Sequence, residues 1–192
     1  VRSRFARIWP HVILIAGIVT VVFPFLWMFA TSFKQGADIY SISLIPKQPT
    51  LRNFVHLLEN TMYPRWFLNS LIIAAIVTAS ELFFDSMAGY ALAKLPFPGR
   101  NVVFILILST LMIPTEMLII PWFLMFTKTG WIDTYWGVML PGLISAFGVF
   151  LMRQFLQSIP DDLLNAGRID GLNEFGVWWH VALPNIRPAL AA

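Results

Sequence analysis

Four long apolar segments limit what this chain can fold into more than any other feature. They cover residues 11–31, 68–93, 102–126 and 135–156. Each is long enough to cross a bilayer, which needs about 20 residues. Lipid offers no partner to an unpaired backbone N–H or C=O group, so each segment is predicted to be helical. The predicted fold class is therefore all-α, a polytopic transmembrane helical bundle.

Composition supports a membrane protein. Hydrophobic residues make up 58% of the chain and charged residues 12%, against about 45–50% and about 25% in soluble domains. The net charge is +3, but the basic residues are scattered between apolar blocks, which argues against nucleic acid binding. The chain has no cysteine, which excludes disulfides and thiolate metal sites within it.

Prolines interrupt three of the four apolar segments, at Pro24, Pro114, Pro121 and Pro141. Membrane helices tolerate proline because neighbouring groups can satisfy the freed carbonyls. Two interpretations stay open. Each proline marks either a packing kink or an opened stretch that lines a pathway.

The distribution of Lys and Arg predicts a cytoplasmic N-terminus. The short loop after the second segment carries Lys94 and Arg100, whereas the loop 127–134 carries only Lys128. The first segment lacks a cleavage site and is interpreted as a membrane helix, not a signal peptide. Between the first two segments, Asn53–Asn60 is predicted to form a short amphipathic helix.

The segment 158–188, which follows the fourth apolar block, is polar and is predicted to lie in the cytoplasm. Pro160 suits a helix start, and the two acidic residues after it favour the positive end of the helix dipole. This helix is predicted to break at Gly171, and a second one to stop at Pro184. The apolar and aromatic side chains of the 158–188 segment are expected to dock into another protein.

The run Ser158-Ile-Pro-Asp-Asp-Leu-Leu-Asn-Ala-Gly-Arg-Ile-Asp-Gly171, followed by Leu183-Pro184, resembles the EAA loop of ABC importer permeases. Motifs typical of the carbohydrate branch occur in matching order along the chain: Thr31–Lys34, Asn69–Leu71, Ala88–Ala91, Leu95–Arg100, Ile119–Pro121 and Gly130–Thr134. Two positions depart from the family pattern. Asn165 replaces a glutamate and Gly167 replaces an alanine.

The resemblance implies a type I ABC importer permease with a cytoplasmic coupling helix, in the bacterial inner membrane. The chain would then carry four of the family's membrane helices and apparently lack the last two. Implied partners are an ATPase dimer, a second permease subunit, an extracellular solute-binding protein and the lipid bilayer. The implied coupling residues are Asp161, Asp162, Leu163, Asn165, Ala166, Gly167, Asp170, Gly171, Leu183 and Pro184. The implied function is uptake of a sugar or oligosaccharide, with ATP and Mg²⁺ bound by the ATPase and no catalysis by this chain.

Three acidic residues lie within the apolar segments: Glu81, Asp85 and Glu116. A carboxylate at the bilayer centre costs at least about 2.5–3.5 kcal/mol, so each should face protein or water. Glu81 and Asp85 are four residues apart and share a helix face. They are interpreted either as a polar clamp between helices, the favoured alternative, or as a lining that binds sugar hydroxyl groups.

Other functional classes have weaker support. The three histidines lack ligand spacing, so no metal site is predicted, and no Walker-type glycine loop is present. A permease for a sugar phosphate, an amino acid or a peptide remains an alternative. A membrane-embedded enzyme that uses the three acids, and a scaffold subunit without its own pathway, are further alternatives.

Overall fold

The computed structural model describes residues 4–191, with side chains from residue 9 onward. Regular structure in this range is helical. The chain divides into two compact units, residues 1–68 and 69–192, and each is described by itself. The helical fold class predicted from the sequence is confirmed.

The first unit begins with helix α1, Arg4–Ser32, which continues without interruption through Pro24. A short 3-10 helix, Gly36–Tyr40, and helix α2, Arg52–Asn60, follow. Lys34 is fully buried: its Nζ donates to the Ser41 carbonyl oxygen at 2.9 Å and lies 4.7 Å from the Trp27 ring centre. Helix α2 corresponds to the amphipathic helix predicted for Asn53–Asn60. The contacts of Lys34 order the segment that precedes it.

Within residues 4–191, two continuous helices are long and apolar enough to cross a membrane. They are Trp9–Ser32 within α1 and helix α3, Tyr63–Lys94. The apolar stretch of each carries no buried residue, as expected for surfaces that face lipid or other membrane helices. The first two segments predicted from the sequence fall within these helices.

The third and fourth apolar segments are broken helices, and the breaks fall at Pro114 and Pro141, where the sequence left a packing kink and an opened stretch as alternatives. Helix α4, Arg100–Thr110, and the helical piece Thr115–Thr129 meet at an angle of 87°. The second piece consists of a 3-10 turn, Thr115–Leu118, followed by helix α5, Ile119–Thr129. Pro114 lies at this break, where it provides no backbone N–H to continue the helix.

The fourth segment bends less, by 40°. Helix α6, Tyr135–Met139, runs into a 3-10 turn, Leu140–Gly142. Residues 143–145 are not helical, and helix α7, Ala146–Gln157, follows them. Pro141 lies in this turn. Ser145 caps α7, because its hydroxyl accepts a hydrogen bond from the Gly148 N–H at 3.2 Å. By length and composition, each bent pair of helices can form one broken membrane span.

The 158–188 segment is a compact set of short helices. Helix α8, Asp161–Ile169, ends before Gly171, whose positive φ of 89° makes the turn as predicted. Helix α9, Glu174–Gly176, continues through a π-helical stretch, Val177–Ala182, into α10, Leu183–Asn185. Helix α11, Arg187–Leu190, follows. The helical run that begins at Glu174 ends at Asn185, one residue after the predicted stop at Pro184.

The core of the second unit joins this segment to α3 and α7. Buried residues include Leu156 of α7, Leu164 of α8 and Trp178, which meets Phe83 of α3 edge-on at 5.3 Å. Gly89 of α3 lies against α7, where an added Cβ would come within 2.9 Å of the Arg153 backbone nitrogen. The absence of a side chain at Gly89 thus allows the backbones of α3 and α7 to approach each other closely.

Candidate functional site: a docked helical segment and a polar joint

The start of α8 is fixed to the end of α3 by Lys94. Its Nζ donates to the Asp161 Oδ1 at 2.6 Å and to the Ile159 carbonyl oxygen at 2.6 Å. The Lys94 side chain is nearly buried, at 8% exposure, while that of Asp161 is exposed. The hydrogen bond from Lys94 and its positive charge lower the pKa of Asp161, so this carboxylate stays ionised.

Glu174 forms a second connection between α3 and the 158–188 segment. The Tyr90 hydroxyl donates to the Glu174 Oε2 at 2.7 Å. Arg168 holds the same carboxylate with two bonds, Nε to Oε1 at 2.8 Å and Nη2 to Oε2 at 3.1 Å. The hydrogen bonds from Arg168 lower the pKa of Glu174 and raise the pKa of Arg168. A paired, bidentate carboxylate of this kind resists rotation.

Asn165 belongs to the same network. Its Oδ1 accepts a hydrogen bond from the Arg168 Nη1 at 2.6 Å. The amide thus serves as an acceptor within the chain and adds no negative charge to the surface of α8. The family pattern has a glutamate at this position, so α8 lacks the negative charge that this glutamate would provide.

One side of α8 packs inward and the other is open. Leu164 and Gly167 are buried. A Cβ on Gly167 would lie 3.1 Å from the Val181 Cγ2, so a larger residue would crowd the contact between α8 and the π-helical stretch. The residues of the opposite side are exposed and share a face by their spacing: Asp162, Leu163, Ala166 and Ile169. Ile169 is 86% exposed.

The remaining predicted coupling residues lie at the turns. Asp170 and Gly171 are exposed after α8, Leu183 is half-buried, and Pro184 is exposed in α10. The aromatic side chains do not all face outward as expected. Trp178 is buried in the chain's own core, whereas Phe175 and Trp179 are 55% and 49% exposed.

A polar joint connects α3 with the break in the fourth segment. The Ser80 hydroxyl donates to the Leu143 carbonyl oxygen at 2.7 Å, and the Asp85 Oδ1 accepts from the Ser145 N–H at 3.0 Å. Asp85 is buried, with 2% exposure. A Cβ on Gly148 would overlap with the Asp85 carboxylate, so glycine is required for this approach. The α3 side chains thus satisfy backbone groups that the break would leave unpaired.

Glu81 and Asp85 line one cavity of about 280 Å³ between α3, α7 and α11. Glu116 is not among its lining residues and lies exposed in the 3-10 turn after the 87° bend. The structure therefore brings two of the three predicted acids together. In the part of the chain that the structure describes, no group of three His, Asp or Glu side chains could hold a metal ion.

The sequence pattern of a known family covers more than half of the chain. The family is described as the binding-protein-dependent transport system inner membrane component, and residues 85–192 match it. The chain belongs to this family. As a family member it is a transport component of the inner membrane, and the docked 158–188 segment lies wholly within the matched region.

Individual relatives agree with membership in this transport family. The chain is 40% identical over 176 residues to the arabinooligosaccharides transport system permease protein AraQ of Halalkalibacterium halodurans, covering 89% of this chain and 63% of that protein. It is 32% identical over 193 residues to the sn-glycerol-3-phosphate transport system permease protein UgpE of Yersinia pestis, covering 96% and 69%. The chain thus spans less than two thirds of the first relative's length.

A solved structure shares the fold of this family member. It is a bacterial ABC transporter involved in the import of the acidic polysaccharide alginate. The TM-score is 0.87 at 26% identity, and the match covers 100% of this chain and 69% of the other. The broken third and fourth segments are therefore compatible with the fold of an ABC importer permease.

Proposed function

We propose that the chain is the membrane-spanning permease part of an ATP-driven importer that takes up a sugar or oligosaccharide. An extracellular solute-binding protein would deliver the solute, and a second permease subunit would complete the pathway. Hydrolysis of ATP, with Mg²⁺, would take place on a partner ATPase dimer. Membership in the binding-protein-dependent transport family supports this proposal, as do the printed functions of the relatives.

The observation that carries the proposal is the exposed face of α8 on a rigidly held helix. A lever must transmit force without bending. Helix α8 is fixed to α3 directly by Lys94, and indirectly by Tyr90, which binds Glu174, the partner of Arg168. Its free face offers Leu163 and Ile169 as apolar contacts and Ala166 as a point of close approach. A short amphipathic helix of this kind suits a groove in a partner protein.

The charge of this face comes from Asp162. Asp161 is bound to Lys94 within the chain, and Asn165 is neutral and bound to Arg168. Asp162 is exposed at the first turn of α8. We propose that it takes the role of the family's glutamate and contacts a basic group of the ATPase.

The proposed orientation places the N-terminus and the 158–188 segment in the cytoplasm, as the distribution of Lys and Arg predicts. A neutral sugar suits the cavity near Glu81 and Asp85, because its described lining contains two acids and no basic side chain. A phosphorylated solute, such as the sn-glycerol-3-phosphate named for one relative, would be repelled there.

Co-purification of the assembled transporter with its ATPase tests the proposal. Asp162→Lys and Ile169→Asp, both at exposed positions, should each reduce the retained ATPase at least several-fold and abolish uptake. Lys128→Glu, a charge reversal at another exposed position near the end of α5, is the matched control and should retain the ATPase. Full retention of ATPase and uptake by both α8 variants would refute this role of α8.

A further inference from the structure

Helix α2 has an apolar face that is not covered by the first unit. Four residues share one face, because each lies three or four positions from two of the others: Leu51, which immediately precedes the helix, and Phe54, Val55 and Leu58. Their exposed fractions range from 38% to 63%. The other face of the helix is polar: Arg52, Asn53, His56, Glu59 and Asn60. This is the pattern of a helix that separates an apolar medium from water.

The first turn of α2 is fixed to the point where α1 ends. The Asn53 Nδ2 donates to the Ser32 and Lys34 carbonyl oxygens at 2.9 and 2.8 Å. The Phe33 and Phe54 rings lie 5.3 Å apart. Because α1 is long and apolar enough to cross the membrane, its end marks a bilayer surface, and the start of α2 is held there.

The last turn of α2 is held at the start of the next membrane-spanning helix. Only Thr61 and Met62 separate it from α3, and the Tyr63 N–H donates to the Thr61 Oγ1 at 3.1 Å. Tyr63 and Trp66 are exposed in the first turns of α3. Tyrosine and tryptophan are enriched at the level of lipid headgroups, so this end also lies at the surface.

We infer that α2 lies flat in the membrane surface, with its apolar face against the acyl chains. Its nine residues span about 13 Å, and both ends are held at the same bilayer face, so the helix cannot extend far into water. Arg52 and Glu59 offset each other in charge. Binding therefore rests on apolar burial and needs no anionic lipid.

Spin labels on single cysteines test this placement, and the 192 residues contain no cysteine of their own. The complete transporter would be reconstituted in phosphatidylcholine vesicles with a label at position 55 or 58, through Val55→Cys or Leu58→Cys. His56→Cys and Glu59→Cys are the matched controls on the polar face. Collision with oxygen reports lipid, and collision with a water-soluble nickel chelate reports water.

We expect the ratio of oxygen to nickel collisions to be several-fold higher at positions 55 and 58 than at 56 and 59. It should not change when anionic phosphatidylglycerol is added. Equal ratios at all four positions would place α2 in water and overturn the inference. Low collision with both reagents at 55 and 58 would mean that a protein covers the face, which also overturns it. Neither result depends on what the transporter carries.

Discussion

The hydroxyl of Tyr90 donates a 2.7 Å hydrogen bond to the carboxylate of Glu174, 84 residues further along the chain. Tyr90 lies near the end of α3, and Glu174 begins α9 in the 158–188 segment. Arg168 of α8 binds the same carboxylate. Through Glu174 and Arg168, Tyr90 therefore connects a membrane-spanning helix with α8, the helix that we propose is moved by the ATPase.

Tyr90→Phe should loosen α8 without changing the shape of the core. The variant removes one hydrogen bond to a half-exposed carboxylate, which contributes about 1 kcal/mol. We expect amide protection of α8 in hydrogen exchange to fall about fivefold, and uptake per ATP hydrolysed to decrease.

Tyr135→Phe is the matched control. It removes a Tyr hydroxyl that donates to the Asn69 Oδ1 at 2.7 Å, away from the 158–188 segment. Unchanged α8 protection in this variant, together with a drop in Tyr90→Phe, is the predicted pattern. Equal effects in both variants would contradict a specific role of the Tyr90 contact.

The ion pairs that fix α8, Lys94–Asp161 and Arg168–Glu174, should weaken in acid. The pKa of Asp161 and of Glu174 is lowered in the folded state from ordinary values of 3.8 and 4.5 by their bonds to Lys94 and Arg168. A group with a lowered pKa stabilises the fold above its ordinary value and loses this contribution as pH falls through its folded value. We expect α8 protection factors to be constant from about pH 5 to 8 and to fall below about pH 4.5.

The double variant Asp161→Asn, Glu174→Gln tests the cause of this pH dependence. It should lower α8 protection at neutral pH and flatten the acid response. A fall below pH 4.5 of the same size in the double variant would assign the effect to other groups.

The sequence predicted the start and end of α8 because local signals determine both. Pro160 and the acidic first turn suit a helix N-terminus, and Gly171 has the positive φ that a helix end often requires. The contacts that hold α8 were not predictable in this way. Tyr90 and Glu174 are far apart in sequence, and no local pattern marks them as a pair.

The breaks in the third and fourth segments show a second limit of the sequence. Pro114 and Pro141 indicate that a helix is disturbed, but hydropathy alone does not distinguish a kink from an 87° bend. At the 40° break of the fourth segment, the freed backbone groups find partners on another helix: Ser80 and Asp85 bind the backbone at Leu143 and Ser145. Glu81 and Asp85 were correctly placed on one helix face, yet the sequence did not indicate which of them contacts the break.

Asp85 should act as a clamp for the broken fourth segment. Asp85→Ala leaves the half-buried Ser145 N–H without its acceptor, which costs about 1–3 kcal/mol. Asp85→Asn retains a carbonyl oxygen and should cost less. We expect the thermal midpoint of the purified transporter to fall in the order wild type, Asp85→Asn, Asp85→Ala.

Glu81→Ala separates this clamp from a role in lining the cavity. Glu81 shares the cavity with Asp85 but makes no side-chain hydrogen bond among the described residues. Its removal should leave the thermal midpoint nearly unchanged. A loss of stability as large as in Asp85→Ala would show that Glu81 is part of the clamp.

Cross-linking from α8 tests the central claim most directly. A cysteine introduced at Ile169, the most exposed apolar position of α8, would carry a short photoreactive group in the assembled transporter; Lys128→Cys would serve as the control. We predict that the label at position 169 cross-links to the ATPase subunit and the label at 128 does not. Labelling of position 169 by an impermeant reagent from outside intact cells, with no cross-link to the ATPase, would contradict the account.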